Sequence, residues 1–410
     1  MTIFNCRSCD APLSTTFVNL YSSPLANSLL SQEQLCKPEA HYPLHVMVCS
    51  QCYLVQVTEK SSPEDIFKDY LYFSSYSPSW LAHCKKYAQE MMDLCALDNT
   101  KKVVEIACND GYLLQYFKEE GIPVLGIEPA ENVALVAKEK GIDVFTDFFS
   151  DETASLWAQQ GHQADLIAAK NVLAHVPHIN SFVQGIKILL KPEGIVTIEF
   201  PHLLKLFQEG QFDTIYHEHF FYLSLNVVRN IFKAHGLSIF DVKELPTHGG
   251  SLRIYGCHEG NRAREISENV QDIIKKENDF GLTNIDTYKN FPDVVKKIKT
   301  DFLSFLVDEV QKGKTIMAYG APAKGNTFLN YCGVKADFIG ATVDKNPHKQ
   351  NKFLPGSYIP IFDEEYIKKN QPHYVLILPW NLKKEIAEQL AYIREWGGKF
   401  VTAIPTLEVF

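Results

Sequence analysis

Short apolar runs alternate along most of this chain with stretches whose apolar residues recur at helical spacing. The runs at 102–107, 123–128, 164–170 and 194–200 read as strands buried on both faces. Residues 80–97, 112–120, 132–140 and 178–190 read as helices, each with one apolar stripe. Strands alternating with helices make a mainly parallel sheet covered by helices. Residues 237–244 and 251–257, joined by a Gly-containing turn, read as an antiparallel edge. After a polar, charged, helical connector the alternation resumes, with strands expected at 314–319, 337–343, 373–378 and 399–404. The pattern divides the chain into a module over 1–75, an α/β domain over 76–258, the connector over 259–312 and a smaller α/β domain over 313–410.

Neither period is visible before residue 75, where Pro12, Pro24, Pro38, Pro43 and Pro63 read as a loop-rich stretch. This module carries Cys6-Arg7-Ser8-Cys9 and Cys49-Ser50-Gln51-Cys52. Each two-residue spacer lets both sulfurs of a tight turn face one ion, and two such turns complete the four ligands of a closed zinc site. Closed coordination builds structure and leaves no open position for catalysis. Two disulfides or four unrelated thiols are the bland alternatives. The remaining cysteines, Cys36, Cys84, Cys95, Cys108, Cys257 and Cys332, follow no spacing, as expected in a reducing cytosol.

The 410 residues are 46% hydrophobic and 22% charged, which is ordinary for a globular protein. No apolar stretch is long enough for a membrane span, and the first residues do not form a secretion signal. A net charge of −9 without a basic run argues against a nucleic-acid polymer as partner. A cytoplasmic monomer or small homo-oligomer is expected.

Chemistry is expected at the carboxyl ends of the strands. The first strand runs through Glu105 into Ala107, Asn109, Asp110 and Gly111, where small residues let a backbone approach a ligand. Glu128 ends the second strand, where a carboxylate can accept from both ribose hydroxyls of a nucleoside. A dinucleotide site requires G-x-G-x-x-G; this turn has Ala107 and an added acid, Asp110. That charge repels pyrophosphate and suits the amino and sulfonium groups of S-adenosylmethionine, which is the expected cofactor. A plain tight turn is the bland reading.

The densest polar cluster follows the strand at 194–200: Tyr216-His217-Glu218-His219-Phe220-Phe221-Tyr222. Imidazole beside a carboxylate is the usual equipment for moving a proton near neutral pH. HExxH spacing is absent, so no catalytic zinc is expected there. Asn171 and His175, after the strand at 164–170, and the aromatic loop Tyr72-Phe73-Ser74-Ser75-Tyr76-Ser77 can line the same cavity. Residues 320–327, GAPAKGNT, nearly spell a P-loop, but Asn326 stands where Lys is required, which excludes an ATPase. Backbone N–H groups and Lys324 can still hold a diphosphate. In His248-Gly249-Gly250-Ser251-Leu252-Arg253 the glycines allow close approach, and Arg253 is expected to reach phosphate.

With CRSC, CSQC, YFSSYS, EIACNDG, NVLAHV, YHEHFFYLS, THGGSLR and YGAPAKGNT in order, the whole chain resembles the deoxysugar C-methyltransferases, which act on nucleotide-linked keto sugars. The resemblance implies a central class I, Rossmann-like S-adenosylmethionine domain between the zinc module and a C-terminal Rossmann-like α/β domain. It implies that a base removes a proton from carbon beside a 4-keto group and that the resulting enolate takes the methyl. By the family's pattern His219 is the base, supported by Glu218, and Tyr216 hydrogen-bonds the sugar. Tyr76, His175 and Asn171 complete the cavity, with Tyr222, Arg253 and Lys324 on the substrate side. The competing expectations are O- or N-methylation of a small metabolite, a non-catalytic binding protein, and a nicotinamide oxidoreductase.

Overall fold

Three sheets organise the computed structural model, which describes residues 4–58, 73–261 and 263–410. Pro63 and Tyr72, named above, lie outside the described residues.

The first sheet is antiparallel: β1 (Thr15–Ser23), β2 (Tyr42–Val48) and β3 (Val55–Val57). The expectation of a loop-rich module is corrected here. Val18, Val46, Val48, Val55 and Val57 are buried in strands, where β-branched residues pack well. Two register shifts, between Thr16 and Val18 and between Asn19 and Ser22, break the alternation and hide the strand period.

Ser77 caps α1 (Pro78–Cys95): its hydroxyl accepts from the Trp80 N–H, and Pro78 occupies the first turn, where its missing N–H costs nothing. This helix leads into β4 (Val103–Ile106), β5 (Val124–Ile127), β6 (Asp143–Phe145), β7 (Ala164–Lys170) and β8 (Leu190–Pro201), all parallel. The helices between them are α2 (Leu114–Glu119), α3 (Glu131–Glu139), α4 (Asp151–Gln159) and α5 (Ile179–Leu189). After α6 (Leu203–Gln208), the two-residue strand β9 (Phe221–Tyr222) leaves this sheet and pairs with β3 of the first. α7 (Leu225–Ala234) precedes the antiparallel hairpin of β10 (Leu237–Leu245) and β11 (Ser251–His258), which completes the edge beside β8. The order is β10-β11-β8-β7-β4-β5-β6. Successive residues of the inner strands enter opposite cores: Leu166 and Ala168 on one side, Ile167 and Ala169 on the other. The order reverses between β4 and β7, so their carboxyl ends border a crevice.

α8 (Glu268–Phe280), α9 (Ile285–Tyr288) and α10 (Phe291–Gln311) lead to the third sheet. It consists of β12 (Ile316–Tyr319), β13 (Thr342–Val343), β14 (Ile361–Phe362), β15 (Tyr374–Ile377), β16 (Lys399–Thr402) and the antiparallel β17 (Glu408–Val409). The strand expected over 337–343 shrinks to its last two residues. α11 (Ala323–Cys332) follows β12. One apolar cluster joins the parts, from Phe17 and Leu44 through Phe207 and Phe212 to Phe302 and Phe328. Among the described residues no helix is long and apolar enough to cross a membrane.

Candidate active site

The crevice opens into a cavity of about 2800 Å³, lined from the first sheet's module, the central domain and the C-terminal domain. A site for one small molecule usually occupies about 300–1,000 Å³. This one has room for two ligands side by side.

At the crevice, Ala107, Asn109 and Gly111 all hold left-handed backbone, with φ of 58°, 49° and 75°. Ala107, Asn109 and Glu128 line the cavity. Glu128 accepts from the Asn109 N–H and the Ala130 N–H, each at 3.0 Å, while burial raises its pKa to about 7. Gly111 shapes the turn from behind: a Cβ there would meet Ile142 Cδ1 at 2.5 Å. Two expected ligand groups sit elsewhere. Asp110 accepts from the Ser75 N–H at 3.1 Å, and Asn109 Oδ1 from the Ser74 N–H at 3.0 Å, so this pair ties down the aromatic loop. Asp110 is therefore turned to the loop and is not among the lining residues. Glu105 lies fully buried under the turn beside Tyr112, its carboxyl pushed well above the usual range by burial.

Tyr216, Glu218 and His219 line the cavity, as do Asn171 and His175. His219 Nδ1 lies 2.8 Å from the Thr214 carbonyl, which can only accept. In a neutral ring Nδ1 then carries the hydrogen, and Nε2 presents its lone pair. The Tyr216 hydroxyl donates to it at 2.7 Å. His175 packs edge-on to the His219 ring at 4.6 Å. Burial, and then His175, hold His219 well below the usual histidine pKa, and burial lowers His175 to about 4. Both rings are neutral at pH 7. Glu218 does not support His219: its carboxylate accepts from Asn27 Nδ2 at 2.7 Å, and burial raises its pKa to about 7. The Thr214 carbonyl does the orienting instead.

Lys324 lines the cavity with its ammonium over the Trp380 ring, 5.1 Å from the centroid, and donates to the His248 carbonyl at 3.3 Å. Trp380 in turn donates to Asp213 at 2.7 Å. Three expected substrate residues face elsewhere. Arg253 is 2% exposed and pairs with Glu199 at 2.7 Å and Glu90 at 2.9 Å, in a buried network that Lys170 and His83 join. Its guanidinium is spent on carboxylates and does not reach the cavity. Tyr76 is 58% exposed, stacks on Phe73 and does not line the cavity. Tyr222 is buried in β9 with its ring 6.4 Å from His219, behind the wall. The sequence assigns no role to Asn27, Thr214 or the His248 side chain; of these only His248 had a signal, its place in the THGG turn.

Comparison with known proteins gives this site a family. Residues 6–67 match the model of a zinc binding domain, 80–242 that of a methyltransferase domain, and 246–405 that of the C-methyltransferase C-terminal domain. C-methyltransferase NovU of Streptomyces niveus is 33% identical over 403 residues, covering 98% of this chain and 96% of its own. The chain belongs to the C-methyltransferase family. Ubiquinone biosynthesis O-methyltransferase of Citrobacter koseri is 34% identical over 100 residues, 23% of this chain and 40% of its own. The solved magnesium protoporphyrin IX methyltransferase of Synechocystis PCC 6803 with bound SAM is 14% identical, covers 49% of this chain and 99% of its own, and has a TM-score of 0.36.

The C-methyltransferase is S-adenosylmethionine-dependent, and its seven-stranded sheet is that of the class I methyltransferases. The sulfurs of Cys6, Cys9, Cys49 and Cys52 all lie within 4.8 Å of one another. Cys6–Cys52 and Cys9–Cys49 are 3.6 and 3.5 Å apart, near the roughly 3.8 Å edge of a tetrahedron with Zn–S bonds of about 2.3 Å and far from a disulfide. All four thiols are free, so the donor set fits structural zinc. Gln56 Nε2 donates to the Cys6 sulfur at 3.2 Å, the outer-shell support that fixes a ligand.

Proposed function

We propose that this C-methyltransferase deprotonates a carbon next to the 4-keto group of a nucleotide-diphosphate-linked deoxysugar and methylates the resulting enolate, in the cytosol. S-adenosylmethionine, when bound, supplies an electrophilic methyl on sulfonium. Glu128, Asn109 and Ala107 would hold its nucleoside end at the crevice. The chain's own chemistry is proton removal, which C-methylation needs because a C–H bond is a poor nucleophile. A neighbouring carbonyl lets the charge move onto oxygen.

The observation that carries the reading is His219, neutral, its Nδ1–H pinned by Thr214 and its Nε2 lone pair turned to Tyr216 inside the cavity. The Tyr216 hydroxyl occupies that nitrogen, so the two act as a unit. The phenol oxygen takes the carbon's proton as its own passes to Nε2. Lys324, beside the cavity, offers a positive charge to the diphosphate.

Incubation with donor and thymidine-, guanosine- or cytidine-diphospho-4-keto-6-deoxyhexoses tests this, read by NMR of the product. A new methyl on ring carbon is the expected result. A methyl found on oxygen or nitrogen supports the O- or N-methyltransferase alternative, and no product from any of the sugars counts against the substrate class.

A further inference from the structure

The cavity contains an imidazole that the scheme above leaves unused. His248 sits in a short turn, Thr247–Gly249, with left-handed backbone at φ 56°. Residues other than glycine rarely adopt that conformation, and they concentrate at functional sites. The turn is closely packed on its glycine side. A Cβ at Gly249 would strike the Trp380 ring, and one at Gly250 would meet Lys205 Cγ at 2.7 Å.

The ring lines the cavity between Asn171, at the crevice, and Lys324. Asn171 Nδ2 lies 3.0 Å from His248 Nε2 and carries only hydrogens to offer. Nε2 therefore accepts, and the hydrogen of the neutral ring sits on Nδ1. Neutrality follows from burial first and then from Lys324, which together lower the pKa to about 4; Glu199 acts in the opposite sense and His83 adds to Lys324. Among the described residues Nδ1–H has no hydrogen-bond partner. Three other candidates are committed or absent: Tyr216 gives its hydroxyl to His219, His175 is engaged by the Glu218 backbone, and Tyr76 does not line the cavity.

We propose that His248 is the electrophilic catalytic residue, its Nδ1–H donating to the ketone oxygen as that oxygen becomes an enolate. The inference rests on the enolate reading above. In the first step the C–H bond breaks, its electron pair forms the C=C bond, and the carbonyl π pair moves to oxygen; the carbon's proton passes to the Tyr216 oxygen as the phenol's own proton goes to His219 Nε2. When carbon takes the methyl, the carbonyl re-forms. The His248 hydrogen never leaves its nitrogen. A neutral imidazole suits this task because it stabilises charge without surrendering a proton.

The test is deuterium wash-in at the carbon next to the ketone, in deuterium oxide with nucleotide 4-ketosugar and no donor. His248→Gly accepts the left-handed backbone, and it is expected to exchange roughly 10²–10³-fold more slowly than wild type. Added imidazole should restore part of the rate, and S-adenosylmethionine affinity by calorimetry should be unchanged. Exchange at the wild-type rate in His248→Gly overturns the inference and leaves the enolate reading standing. Absence of exchange in wild type sinks both. Nitrogen-15 NMR of the wild-type ring provides a check that no variant can spoil: hydrogen on Nδ1 is expected, and hydrogen on Nε2 overturns the proposal.

Discussion

Glu128 accepts two backbone N–H bonds and still titrates near neutrality, because burial outweighs them. This fixes the sign of a pH effect. In the proposed site ribose hydroxyls would donate to the carboxylate form, so bound donor would stabilise that form and draw the pKa down from about 7. Donor affinity should then rise with pH up to about 7 and level off above it, falling about tenfold for each unit below. Calorimetry at pH 5.5, 7 and 8.5 reads this directly, and Glu128→Gln should bind weakly at all three. Affinity of the wild type independent of pH would remove Glu128 from the donor site. At this scale the sequence was most legible where neighbours in the chain are neighbours in space. Tyr216 and His219, three residues apart, meet through a hydrogen bond. It was least legible where partners are distant. Nothing near Arg253 announces that Glu199 and Glu90 will consume its charge, and nothing near Glu218 announces Asn27.

At the scale of elements, the inner strands were readable because burial on both faces makes continuous apolar runs, as in 164–170. β6, three residues long, and β9, two residues long, are too short to show a period. β9 nevertheless matters most for the site. It pairs with β3 immediately after His219, and Arg7 of the first cysteine turn lies over Phe220 at 4.8 Å. The cysteine module thus supports the wall that carries His219. Treating the enzyme with a strong zinc chelator should raise amide hydrogen exchange at Val55–Val57 and Phe221–Tyr222 and lower turnover, while donor binding at the distant crevice persists. Unchanged exchange at β9 after metal loss would contradict this coupling.

In the molecule as a whole, each part contributes what the others lack. The central sheet supplies the crevice, the cysteine module supplies Asn27 to Glu218, and the C-terminal domain supplies Lys324. Trp380 ties that last domain through Asp213 to the turn whose Thr214 carbonyl holds His219. A cavity of about 2800 Å³ assembled this way has room for two ligands, with His219 on its wall. Hydrogen loss from the acceptor ring in deuterium oxide, with donor withheld, probes the proposed role of His219 at the reacting atom. Wild-type protein should place deuterium beside the ketone, and His219→Ala should do so roughly 10²–10⁴-fold more slowly with donor affinity intact. Exchange that proceeds equally well in His219→Ala would show that the proton leaves by another route.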